Sequence, residues 1–137
     1  MKKSGHLSLC MVLLLLASTV LNVRAAIGTV QVTNAMSGGL SVEASLTAVF
    51  MSGETVDFPP LTVLPRGFFF DNVEANAQAV VASFVVMRPG GSNSVADVTV
   101  WGDFCGPDCY WVLNDAGVLW NDFDTGALIL RGRWRPA

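Results

Sequence analysis

Between residues 40 and 50 every second side chain is apolar: Leu40, Val42, Ala44, Leu46, Ala48 and Phe50, with Ser41, Glu43, Ser45 and Thr47 between them. A period of two puts each set on its own face of an extended strand, one face for a core and one for water. So long a run of this pattern excludes a helix, whose apolar positions recur every three to four residues. The alternation continues elsewhere. Residues 29–33 (TVQVT) and 95–101 read as further strands, separated from their neighbours by the turns NAMSGG (34–39) and RPGG (88–91). Residues 55–58 and 61–64 are short extended pieces around Pro59-Pro60, and Phe68-Phe69-Phe70 is too aromatic for a bare loop. Residues 77–87 form a nearly continuous apolar run. Its opening alanines admit a helix, but its valines and the turn that follows favour a central strand. Residues 110–113 and 118–120 face each other across Asn114-Asp115-Ala116-Gly117 as a hairpin. Residues 127–130, continuing toward Trp134, make the last strand. About eight strands at such spacing predict an all-β, single-domain antiparallel β-sandwich, with a small barrel as the neighbouring solution.

The N-terminus has to be set aside first. Lys2 and Lys3 precede an apolar run over residues 7–21, and Val23-Arg24-Ala25 offers a peptidase site. A run of about 15 residues is short of the roughly 20 that span a bilayer, so residues 1–25 are expected to be a cleaved secretory signal rather than an anchor. The domain is then 26–137, a secreted, extracellular protein with no membrane insertion after signal removal.

Cleavage after Ala25 changes the available chemistry. His6, the only histidine, leaves with the signal, as do both lysines and Arg24. Five arginines and eleven carboxylates remain, a net charge near −6. Such a charge argues against nucleic acid or an anionic membrane as the main partner. Without histidine there is no Ser-His or Cys-His nucleophile pair, and without lysine no Schiff-base amine. No cofactor is expected, and the chain is expected to be a monomer.

Carboxylates are the remaining acid–base groups. Asp103 and Asp108 flank the cysteines, and Asp115, Asp122 and Asp124 follow; a pair of them would suit a glycosidase. The stronger reading is that aspartates occupy turns by bonding nearby amides. Residues 122–126 (DFDTG) hint at a calcium loop but lack the length and distal glutamate, and read as a turn. Cys10 leaves with the signal, which makes Cys105 and Cys109 the mature pair. They enclose Gly106-Pro107-Asp108, too wide for the usual redox spacing and without further ligands for zinc. A structural disulfide is favoured, its short loop worth roughly 2 kcal/mol. Trp101, Trp111, Trp120 and Trp134 would serve either as core or as an aromatic face for carbohydrate, core being expected for at least two. The run Arg131-Gly132-Arg133-Trp134-Arg135 is a basic tail, either a dock for an acidic partner or a frayed end.

Residues 97–117, DVTVWGDFCGPDCYWVLNDAG, resemble the plant self-incompatibility protein family, the S-protein homologues. Asp103, Cys105, Cys109, Trp111 and Gly117 match that family's aspartate, paired cysteines, tryptophan and turn glycine. Residues 29–34 and 40–44 lie in register with its first two strands, and 82–84 before Gly90-Gly91 with its later segment. The family usually has four cysteines; here Ala44 and Ala82 hold the places of two. The acidic stretch after the family's first cysteine is also missing.

The resemblance implies a secreted β-sandwich with small helical pieces and no catalytic activity, acting as an extracellular ligand recognised by a cell-surface receptor protein. On that reading the recognition loops are 34–39, 88–94 and 105–109. Asn34, Arg88, Asp103 and Asp108 are the candidate partner-binding residues. The competing expectation is an extracellular carbohydrate-binding module using exposed tryptophans.

Overall fold

Side-chain alternation resolves into two sheets packed face to face. The computed structural model describes residues 26–137; the expected signal, 1–25, lies outside the described residues. The strands are β1 (Ala26–Asn34), β2 (Ser41–Phe50), β3 (Thr55–Asp57), β4 (Leu61–Val63), β5 (Phe68–Glu74), β6 (Ala77–Met87), β7 (Ser94–Trp101), β8 (Asp108–Asn114), β9 (Gly117–Asp122), β10 (Ala127–Gly132) and β11 (Arg135–Pro136). One sheet runs β10-β9-β8-β1-β5; the other runs β11-β7-β6-β2-β3, with β4 also on β2. Residues 77–87 form the central strand that their valines favour, pairing with β2 and β7. The helical pieces are two short 3-10 turns, Ser37–Gly39 and Pro89–Gly91.

Two features depart from a plain antiparallel sandwich. First, the strands are more numerous than about eight, because β3, β4 and β11 are short edge pieces of two or three residues. Second, β1 and β8 run parallel, from Thr29 beside Asp108 to Asn34 beside Leu113. Parallel neighbours need a long crossover between them. Here most of the second sheet, β2 to β7, together with β5 of the first, provides it.

The core lies between the sheets. Val30 and Val32 of β1, Val42, Ala44 and Leu46 of β2, Phe84 of β6, Val100 of β7, and Trp111 and Leu113 of β8 are all buried there. Ala44 and Ala82 are in the same layer, Ala44 opposite Phe84 and Ala82 opposite Leu46. They are thus diagonal rather than direct cross-strand neighbours.

The last strand stops at Gly132 instead of continuing toward Trp134. A β-carbon at Gly132 would approach Val98 Cγ2 to 2.6 Å, so the chain can cross the sandwich only at glycine. It then continues as β11 on the other sheet, with Trp134 Nε1 donating to the Asn114 carbonyl at 2.7 Å. The basic tail is therefore tied down rather than frayed, and Arg135 is ion-paired with Asp97.

Strand directions sort the connections into two ends. The upper end collects turns 35–40, 64–67, 88–93 and 115–116 and the crossing at 133–134; the lower end collects 51–54, 75–76, 102–107 and 123–126.

Candidate functional site

The four candidate binding residues do not converge. Asn34 is 1 % exposed, and this corrects its assignment as a contact for a partner. Its Nδ2 donates to the carbonyls of Leu40 (2.9 Å), Val63 (3.1 Å) and Leu64 (3.2 Å), and its Oδ1 accepts from Met36 N at 3.0 Å. Every hydrogen-bonding atom of the side chain faces protein, as burial of an amide demands. The sequence carried a signal for this: Val30, Val32 and Asn34 share a parity, and the first two belong to the core.

Arg88 is half-buried at the upper end, with Nε donating to Ser94 Oγ at 3.4 Å. Loops 34–39 and 88–94 do come together there, along with the 115–116 turn. Asp115 Oδ1 accepts from Ser37 N at 3.1 Å, and its other oxygen accepts from Ser37 Oγ. The Ser37 hydroxyl, then its backbone N–H, hold the Asp115 carboxyl below the ordinary carboxylate range, with the Arg88 charge adding to this.

The cysteine loop is at the lower end. Cys105 and Cys109 are disulfide-bonded, their Cα atoms 5.3 Å apart, and the Gly106–Pro107 peptide between them is cis. The Pro107 carbonyl is the loop's anchor. It accepts from Thr29 N at 3.0 Å and from Trp101 Nε1 at 2.8 Å. Gly28 passes so close that a β-carbon there would overlap both that carbonyl and the indole nitrogen. Asp108, next in the chain, accepts from Thr29 Oγ1 at 2.7 Å.

Beside this loop is an open groove of about 370 Å³, walled by the 104–108 segment on one side and the 121–124 turn on the other. Phe104, Tyr110, Trp120 and Phe123 supply its aromatic surface, and Asp108, Asp122 and Asp124 its charge. Phe123 is 65 % exposed and meets Tyr110 edge-on, ring centroids 4.6 Å apart. Trp120 is packed by Phe104 at 5.5 Å, with the Arg131 guanidinium 5.2 Å from its ring. Asp122 builds its turn as sequence suggests: Oδ1 accepts from Asp124 N and Oδ2 from Thr125 Oγ1, both at 3.0 Å. Asp103 is elsewhere, in a separate hollow with Met51, Ala77 and Gln78. Asp103 and Asp108, the pair flanking the cysteines, therefore do not face one substrate space. Among the described residues no group of three His, Cys, Asp or Glu is placed to hold a metal ion.

The tryptophans form no common exposed face. Trp101 and Trp111 are core residues whose indoles donate to Pro107 and Val100 carbonyls, and Trp120 and Trp134 are half-buried. Only Trp120 reaches the groove. The residues that sequence reading did not group are Tyr110, Phe123, Asp122 and Asp124, brought together by the β8–β9 pairing and the turn after β9.

The outer face of the five-stranded sheet is also distinctive. The register lines up Leu128, Asn121, Tyr110, Gln31 and Phe70 in one row, and Leu130, Leu119, Val112, Thr33 and Phe68 in the next. Neither row holds a charge, and the row below them, Asn72, Thr29 and Asp108, holds one carboxylate. Phe68 is 66 %, Phe70 53 % and Leu128 50 % exposed. The outer face of the other sheet instead carries Glu43, Asp57, Asp97 and Arg135.

No known family model matches the chain, and a search of curated proteins found none similar to it.

Proposed function

We propose that this protein is a secreted, non-enzymatic ligand of a cell-surface receptor, acting in cell–cell signalling, and that it engages the receptor through the groove beside the Cys105–Cys109 loop. The observation that carries the reading is the make-up of that groove: aromatic rings and carboxylates at the adjoining ends of β8 and β9 and on the loops that flank them, with the disulfide and the doubly hydrogen-bonded Pro107 carbonyl fixing one wall. Recognition residues are characteristically loops positioned by a rigid scaffold. Support comes also from the residue inventory beyond position 25, which has neither histidine nor lysine. The likeness of residues 97–117 to the self-incompatibility proteins points the same way.

The test is binding of the labelled protein to intact candidate target cells, followed by cross-linking and identification of what is captured. Saturable binding is expected, reduced by the triple variant Asp108→Asn, Asp122→Asn, Asp124→Asn. Equal binding by that variant would remove the groove from the reading.

A carbohydrate-binding role keeps one specific observation in its favour, the exposed Phe123 against Tyr110 beside carboxylates, since rings and carboxylates are also how sugars are held. It now rests on these rings rather than on tryptophans. Retention on polysaccharide columns that Phe123→Ala abolishes, without any protein receptor captured, would displace the ligand reading.

A further inference from the structure

The arginines of this molecule gather toward one end. The lower turns and strand ends carry Glu54, Glu74, Asp103, Asp108, Asp122 and Asp124 and no arginine, while Arg66, Arg88, Arg133 and Arg135 belong to the upper end, whose turn carboxylate Asp115 is held by Ser37 and whose Asp97 is paired with Arg135. Between the two ends of the five-stranded sheet is the outer face, whose rows through Phe68 and Phe70 hold no charge and whose next row, Asn72, Thr29 and Asp108, holds one carboxylate. We propose that two copies of this chain pair through that face, sheet on sheet, about a twofold axis lying across the strands.

Three features select a second copy as the occupant. The first is charge complementarity. A twofold across the strands reverses strand direction and keeps strand order, so β5 lies over β5 and β10 over β10. Arg66, just before β5, then sits over Glu74 of the second copy at the far end of β5. Arg133, just after β10, sits over Asp122 and Asp124 of the second copy in the turn before it. Both contacts occur twice by symmetry, as an isologous interface requires.

The second feature is the position of the axis. Residue 70 is midway between 66 and 74, so the row through Phe70 and Leu128 lies on the axis, ring against ring at the centre of the contact. The alternative axis, along the strands, would set acidic ends against acidic ends in a domain, residues 26–137, with five arginines and eleven carboxylates. The third feature is area. Five strands at about 4.8 Å span about 24 Å, and three rows of side chains, the two uncharged ones and the row of Asn72, Thr29 and Asp108, cover about 20 Å along them, on the order of 500 Å² per copy. Doubled, this reaches roughly 1,000 Å², the lower bound for a specific interface, and fits a weak, reversible dimer. The proposal replaces the expectation of a monomer. Tyr110 and Asp108 belong to both this face and the groove, but the two readings fail separately, because the test here uses neither receptor nor cells.

The experiment is sedimentation velocity on the full chain produced in a secretory host, from about 1 µM to about 200 µM, a range suited to so small an interface. A reversible monomer–dimer equilibrium is expected, weaker at high salt. Phe70→Ser, an exposed position, should abolish it while the circular dichroism spectrum stays unchanged. Arg66→Glu and Glu74→Arg should each weaken dimerisation by about tenfold, and the two together should restore it. A monomer at every concentration overturns the proposal. So does growth beyond the dimer, which would indicate addition along the β5 edge, or a double variant no better than the single ones.

Discussion

Asn34 joins three chain segments, and its role follows from where its atoms are. Its amide ties the end of β1 to the start of β2 and the end of β4 through the Leu40, Val63 and Leu64 carbonyls. Asn34→Ala leaves those acceptors without their donor in a buried site. Chemical denaturation should show a loss of about 2–3 kcal/mol, at the upper end of the cost of an unsatisfied buried group. Receptor binding per folded molecule should be unchanged. A stability loss under about 0.5 kcal/mol, the scale of an ordinary surface substitution, would mean that water replaces the amide. As the first residue of NAMSGG, Asn34 reads as a turn residue, and its β1 parity places it inside. Both are true: it ends a strand with its side chain pointing inward and bonds the turn from within.

At the scale of elements, the parallel contact of β1 with β8 begins where Gly28 passes under the Pro107 carbonyl. Gly28→Ala has no free space, since its neighbours are backbone and a core indole. It should cost at least about 2 kcal/mol, as overpacking does, and should disturb the cysteine loop as well as the strand. Wild-type stability with that substitution would show that the loop can withdraw from β1. The disulfide closes a loop of few residues, so adding reductant should lower unfolding free energy by only about 2 kcal/mol and leave the sheets formed. Full unfolding on reduction at neutral pH would contradict this. The cysteine pairing, the long strand β2 and the central β6 were all legible in sequence, because each depends on local spacing or side-chain alternation. The parallel partner of β1 was not, because pairing between residues so far apart leaves no local signature.

For the whole molecule, pH should act mainly through carboxylates. Hydrogen bonds from Arg135 and Ser83 to Asp97, and from Ser37 to Asp115, hold both carboxyls below their ordinary value near 4. A depressed folded-state pKa contributes stability that is present above the unfolded value and is lost as pH falls through the folded one. Asp115→Asn should therefore lower the thermal midpoint at pH 7, and the gap between wild type and variant should shrink as pH falls below the ordinary carboxylate range. A gap that does not shrink in acid would show that the Asp115 charge is not what links the 37 and 115 turns. Those turns belong to the upper end, so loosening them should leave the groove at the lower end intact.

Local pattern alone establishes that the chain builds sheets, which side chains share a face of each strand, and that its two late cysteines are close enough to join. These are consequences of a period of two and of short spacing. Packing of the two sheets makes Asn34 a core residue, turns Asp103 and Asp108 toward different hollows, and sets Tyr110 and Phe123 around a groove with Asp122 and Asp124. It also brought the arginines together toward one end and left the other end acidic. The reason is strand order: direction and pairing fix which turns share an end, and neither is written in the residues of any one turn.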